Sequence, residues 1–226
     1  MTMTPAFGVD LPSSARSVKA AQDVADTLKA MRSEVAATAK SAIYVRIFKT
    51  EGELEVWADT GTQYTLMRTY PICHFSGQLG PKLGEGDGQA PEGFYEVRPG
   101  QLNPNSRFHL AFNLGYPNAF DRAHQRTGDF LMVHGNCVSI GCYAMGDVAI
   151  EEIYTLVADA LRAGQKAVPV HIFPFRFAPD WQAQHASSEW LDFWSQLEAG
   201  YEAFENDHRP PRVRVREARY TLQAQD

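Results

Sequence analysis

Residues 131–145 read LMVHGNCVSIGCYAM. The run DFLMVHG has strand character and stops at His134, and Cys142 follows eight residues later. Gly141 removes side-chain bulk in front of that cysteine, and Ser139 is at hand for local hydrogen bonding. A cysteine needs a neighbouring base or cation to form thiolate near neutral pH, and an imidazole at a strand end can supply one. The imidazole needs an orienting partner in turn, for which the Gly135 carbonyl is a candidate. Two other readings compete: a small packed thiol and a metal ligand.

The cysteine count weighs on the metal reading. Cys73, Cys137 and Cys142 are too few for a disulfide scaffold and odd in number, so at least one is free or paired between chains. There is no C-x-x-C, and a zinc site from His134, Cys137 and Cys142 would need a further ligand such as Cys73 or His74. No metal or other cofactor is expected. Cys73 and Cys137 read as packed thiols. His171, in VPVHIFPF, reads as a strand residue near the core, with approach to the site as the lesser alternative.

Working outward, AIYVRIFK, ELEVWAD and QYTLMRTYPIC from residue 42 are β-rich runs separated by TEG and DTG, which predicts a three-stranded antiparallel start. Residues 76–93 hold six glycines and two prolines and read as a long, functional loop. GFYEVRP and RFHLAFNLGYP are further strands. Asp147 is the expected N-cap of a helix closed by Gly164, and KAVPVHIFPFRF returns as a strand. Residues 14–39 predict one amphipathic helix, packed on the domain or a mobile leader. SSEWLDFWSQLEAGYEAF predicts a core-facing helix, and RVRVREARYTL a last strand.

With 226 residues and 44% hydrophobic content the chain can bury a full core. Its net charge of -6 argues against nucleic acid as a partner. No stretch approaches the ~20 apolar residues of a membrane span, so no stable membrane insertion is expected. The start MTMTPAFGVDLPSSARS lacks the apolar core of a secretory signal. The oligomeric state is not legible.

HGNCVSIGCYAM resembles the active-site signature of the L,D-transpeptidase catalytic domain, the YkuD-type fold, and is most similar to its YafK-like branch. YPICHFSGQLGPKLGEGD, QAPEGFYEV, FNLGYPNAFDRAHQRTG and VPVHIFPFRF resemble that branch in the same order. The wider family writes S-H-G-C where Ile140 stands here, so a second imidazole is absent. The resemblance implies a mostly β (α+β) fold, sandwich or barrel-like. It would carry an N-terminal helix, a helix after the motif, and a C-terminal helix plus strand. The expected divisions are a leader over 1–41, a catalytic domain over 42–177 and an extension over 178–226.

The resemblance also implies a cysteine enzyme of peptidoglycan. Cys142 would be the nucleophile, His134 the base and Gly135 its orienting carbonyl, with backbone N–H groups from Gly141 to Tyr143 as oxyanion hole. Pro91 and Gly93 match the family's T-P-x-G at a strand start bordering the cleft. Tyr116, Asn118 and Ser139 are further substrate-binding candidates, with scaffold as the alternative. The expected partner is a peptidoglycan stem peptide, with murein-linked lipoprotein for the YafK-like branch. Thioester formation at the L-centre of diaminopimelate would end in hydrolysis of the murein–lipoprotein amide. The alternatives are 3–3 cross-linking or D-amino-acid exchange, and a non-catalytic murein-binding module. A periplasmic address follows, with a cytoplasmic enzyme or secreted effector as alternatives.

Overall fold

The computed structural model describes residues 9–223, so the outer ends of the expected leader and extension lie outside the described residues. Ser14 caps the first helix, α1 (Ala15–Asp23), through a reciprocal box with Ser17. Val24 interrupts the helical run before α2 (Ala25–Glu34). The single helix expected over 14–39 is therefore two, and the second stops early. Ala36 takes a left-handed φ of 56° and the amide of Ala37 bonds back to Arg32, closing the helix without a glycine. Ala20, Val24, Leu28 and Met31 are buried, so this leader is packed onto the domain.

The predicted meander forms as β1 (Ile43–Phe48), β2 (Glu53–Asp59) and β3 (Tyr64–Pro71). The chain continues through β4 (His74–Phe75), β5 (Gly93–Val97), β6 (Leu102–Asn103), β7 (Ala111–Asn113) and α3 (Ala119–Ala123). β8 (Met132–His134) and β9 (Tyr143–Ala144) flank the motif, and α4 (Asp147–Arg162) follows. β10 (Val168–Phe173), α5 (Trp181–Gln184), α6 (Leu191–Asp207), β11 (Arg212–Arg216) and β12 (Arg219–Gln223) complete it. The last segment is thus a hairpin rather than one strand. It turns at Glu217 and Ala218, both left-handed, without the Asn-Gly or Asp-Gly signal that marks such turns.

Two five-stranded sheets face each other. The first runs β3-β2-β1-β10-β5 and the second β4-β9-β8-β7-β6. Alternation along β1 explains their arrangement: Ile43, Val45 and Ile47 enter the core between the sheets, and Arg46 and Phe48 point outward. The core receives Val170 and Ile172 from the first sheet, Phe112, Val133 and Tyr143 from the second, and Ile153 and Val157 from α4. The first sheet's outer face is covered by α6 and its aromatic neighbours Phe175, Trp181 and Trp194. Phe94 comes so close to α6 that a Cβ at Gly200 would lie 2.5 Å from its ring.

Candidate active site

β8 and β9 are parallel, in a register that sets Val133 against Tyr143 and His134 against Ala144. A returning connection must run back the length of β8, and because β8 is three residues long, residues 135–142 suffice. Val133 and Tyr143 point into the core. Strand alternation then turns His134 and Cys142 to the opposite face, diagonally across that pair. The amide of Met132 reaches the Cys142 sulfur at 3.4 Å, as this register requires. An eight-residue spacing thus becomes a juxtaposition on one sheet face.

His134 Nδ1 lies 2.5 Å from the Gly135 carbonyl. That oxygen can only accept, so Nδ1 carries the proton and Nε2 keeps its lone pair. Burial pushes the His134 pKa down, against a smaller raising effect of the Gly135 carbonyl. The Phe108 ring lies 4.8 Å from the imidazole, tilted by 31°. Gly135 is sterically required here: a Cβ would lie 2.7 Å from Asp147 Oδ1 and 2.9 Å from the Phe108 carbonyl.

The Cys142 thiol points to the Phe130 carbonyl at 3.7 Å. Burial raises its pKa, opposed by the Met132 amide and the Lys82 charge. No hydrogen bond joins the thiol to His134 among the described residues. Burial thus works against the charged form of each group.

The other candidates divide. Ser139 Oγ accepts from the Cys142 amide at 2.8 Å and donates to the Cys142 carbonyl at 2.7 Å, clamping the turn. That removes the Cys142 amide from the expected oxyanion donors, and the β8–β9 ladder takes the Tyr143 amide, which leaves Gly141. The Gly141 N–H has no partner among the described residues, and Tyr143 is flanked by Val133 and Phe75. Tyr116 and Asn118 are turned into the scaffold. The Tyr116 hydroxyl donates to the Lys82 and Thr127 carbonyls, and Asn118 caps α3 and donates to the Phe94 carbonyl. The Pro91 carbonyl accepts from the Tyr143 hydroxyl at 2.7 Å, and a Cβ at Gly93 would lie 2.7 Å from the Tyr220 hydroxyl. Asp147 opens α4 with Gly146 as the N-cap, and its carboxylate accepts from Asn136 at 2.7 Å. His171 is buried on the far side of the first sheet with its Nδ1 on the Tyr44 hydroxyl.

Cys73 and Cys137 form a disulfide, which overturns their reading as packed thiols. The pairing needs a long-range approach across 64 residues, made when β4 aligns beside β9 and the Cys73 amide bonds to Ala144. Disulfide sulfurs cannot serve as thiolate ligands, so the zinc set loses two of its members. Cys142 is the free thiol.

Lys82 was not singled out by the sequence. It is buried in the 76–93 loop and bonded to Asp87, whose carboxylate also accepts from the Leu83, Gly84 and Gln89 amides. Asp87 is held down to about 2, its hydrogen bonds and Lys82 together outweighing a cost of burial. The loop is thus folded on its own polar side chains. Beside the thiol, Leu83, Phe130, Val138 and Ile140 are exposed, Ile140 at 91%. Phe130 holds a left-handed φ of 52°, strain of the kind that collects at functional sites.

Comparison with known proteins follows the same line. Over 182 residues the chain is 48% identical to a protein named "Putative L,D-transpeptidase YafK" from Escherichia coli K12. The match covers 80% of this chain and 74% of that protein, and the O157:H7 protein of the same name matches equally. No family model matches. Among solved structures, a K307A mutant of the helical cell shape determining protein Pgp2 from Campylobacter jejuni superposes with a TM-score of 0.50 at 23% identity. That likeness covers 74% of this chain and 57% of the Pgp2 chain and speaks for the fold alone. With a relative this close over most of both sequences, the chain belongs to the L,D-transpeptidase family.

Proposed function

We propose that this protein is a cysteine acyl-transfer enzyme of peptidoglycan, with Cys142 as nucleophile and His134 as base. The observation that carries the reading is the His134 ring: Nδ1 is held by Gly135, and Nε2 is free to take a proton on the face shared with Cys142. The thiol proton passes to Nε2 as the sulfur attacks an acyl carbonyl. The carbonyl oxygen takes the negative charge, with the Gly141 amide as a proposed donor. Collapse breaks the C–N bond, His134 returns the proton to the leaving amine, and a thioester remains.

The proposed acyl donor is the stem peptide at the L-centre of diaminopimelate. The YafK resemblance favours water as the acyl acceptor, releasing lipoprotein from murein. The apolar rim of Phe130, Val138 and Ile140 suits a protein leaving group. The proposed address is periplasmic, and the disulfide supports it, since such bonds persist in oxidising compartments.

The test is mass spectrometry of sacculi carrying lipoprotein, before and after treatment, with D-amino acids present as competing amines. Free lipoprotein with little exchange is expected. New 3–3 cross-links or D-amino-acid exchange without release would make the enzyme a transpeptidase, and no change of any kind would leave a binding module. Intact-mass analysis with a carbapenem should show one adduct, absent from the Cys142→Ala variant.

A further inference from the structure

On the far side of the sandwich from Cys142, between the outer face of β5 and β10 and the β11–β12 hairpin, lies an open cavity of about 740 Å³. That size falls within the range of ligand sites. Its charged lining is Arg98, Arg122, Arg212 and Arg214 against a single carboxylate, Glu96. Four arginines among the residues lining one cavity stand out in a chain of net charge -6. Glu96 is engaged by Arg98, and Arg122 donates to the Pro117 carbonyl. The guanidinium groups of Arg212 and Arg214 have no ion-pair or hydrogen-bond partner among the described residues. The hairpin packs through Val213 and Val215, and Arg212 and Arg214, which alternate with them, also line the cavity.

The floor is polar as well. His171 is 3% exposed there, its Nδ1 on the Tyr44 hydroxyl at 2.8 Å, so Nε2 is left without a hydrogen bond among the described residues. Burial first, then Arg46, lowers its pKa to about 3, so it meets a ligand as a neutral hydrogen-bonding ring.

The chemistry of the lining narrows the ligand. β5 is an edge strand, but its free edge is already occupied. The Phe94 carbonyl accepts from Asn118, the Glu96 carbonyl from Gln101, and the Phe94 amide donates to the Tyr220 hydroxyl. A peptide cannot add as a further strand there, so recognition must run through side chains. Guanidinium forks match carboxylates and phosphates. A lipid surface would need a flat or convex basic patch, whereas these arginines line a recess whose walls include Phe94 and Leu114.

We propose that this basic cleft is a second, non-catalytic binding site for the carboxylate-bearing stem peptides of peptidoglycan, holding the enzyme to the wall while Cys142 works on another stem. The proposal rests on the peptidoglycan reading of the Cys142 site, and its test separates the two. The full-length Cys142→Ala protein is co-sedimented with purified sacculi and compared with the same protein carrying Arg212→Glu and Arg214→Glu. Affinity should fall at least about tenfold with charge reversal, and Arg212→Lys with Arg214→Lys should retain most of it. Both arginines are exposed, and an unchanged melting temperature checks the fold of each variant.

In the active enzyme, the rate of carbapenem labelling at Cys142 should be the same with and without the charge reversals. Sacculus binding that ignores the reversals overturns the proposal, as does failure to bind sacculi. Binding that follows phosphatidylglycerol vesicles in place of sacculi overturns it in favour of a membrane. Arginine-dependent sacculus binding without labelling would sink the Cys142 reading and leave the cleft standing.

Discussion

The two outward faces of this sandwich are held by different forces. On the first sheet, strands of five to eight residues carry Tyr44, Arg46 and Phe48 under α6. Arg46 is buried between Glu55 and Glu205, with its guanidinium 4.7 Å from the Phe204 ring and 5.0 Å from Trp57. On the second sheet, where strands are two or three residues long, His134 ends β8 and Cys142 immediately precedes β9. There the geometry is fixed by single hydrogen bonds: Gly135 on the imidazole, Ser139 on the cysteine amide, Asp147 on Asn136. Packing distributes an error over many neighbours, whereas one hydrogen bond concentrates it. Damage to the first face should appear as lost stability, and damage to the second as lost turnover in a folded protein.

The largest separation is expected for Cys142→Ala. Turnover should vanish and thermal melting should be unchanged, because the thiol makes only weak contacts. A variant that melts well below the wild type would erase the contrast. His134→Ala should cost ~10²–10⁴ in rate. The pH profile of Cys142 alkylation sharpens it further. Burial raises this thiol, so alkylation of the free enzyme should keep rising past the ordinary value of ~8.5. The His134 variant should show nearly the same midpoint. A plateau near neutral pH, lost with His134, would mean a preformed ion pair.

Next comes Lys49→Met, on the first sheet. Lys49 and Glu92 are both 0% exposed and 3.0 Å apart, and Lys49 also donates to the carbonyls of Gln78, Gly80 and Ala90. Leaving Glu92 buried without its partner should cost about 3–5 kcal/mol in denaturant unfolding. Adding Glu92→Gln should recover part of that loss, and no recovery would contradict the unpaired charge as its cause. Cys73→Ser with Cys137→Ser opens a closure of 64 residues, worth up to about 4 kcal/mol by loop entropy and less if the denatured chain stays compact. The smallest effect is expected from Ile140→Ser, within about 0.5 kcal/mol in stability because the side chain is 91% exposed. Any loss of turnover there would then report on substrate contact alone.

Legibility in the sequence followed the same division. The β1–β3 meander could be read because TEG and DTG mark its turns and the strands alternate between two covered faces. The thiol and imidazole could be read because only eight residues separate them and the parallel return needs no more. The disulfide could not, because nothing near Cys73 or Cys137 announces a partner 64 residues away. The C-terminal hairpin escaped for a local reason, as Glu217 and Ala218 adopt left-handed φ without the residues that favour it. Asn118 and Tyr116 read as cleft walls from their neighbours in sequence, and only tertiary contacts turn them to α3, Phe94 and Lys82. Lys82 carried no signal beyond being a lysine in a glycine-rich loop.

The disulfide also changes how maturation of this enzyme must be timed. Three thiols can pair in three ways, and two of those pairings consume Cys142. In an unfolded chain the encounter of Cys137 with Cys142 is the nearest in sequence, and chain statistics favour it over one that must close 64 residues. Only after β4, β8 and β9 have assembled does Cys73 become the neighbour of Cys137. With Cys142 as the proposed nucleophile, oxidant arriving before that assembly would trap the thiol the reaction needs. The active fraction of a preparation is therefore a record of which came first, the sheet or the oxidant, and an isomerase can rewrite it.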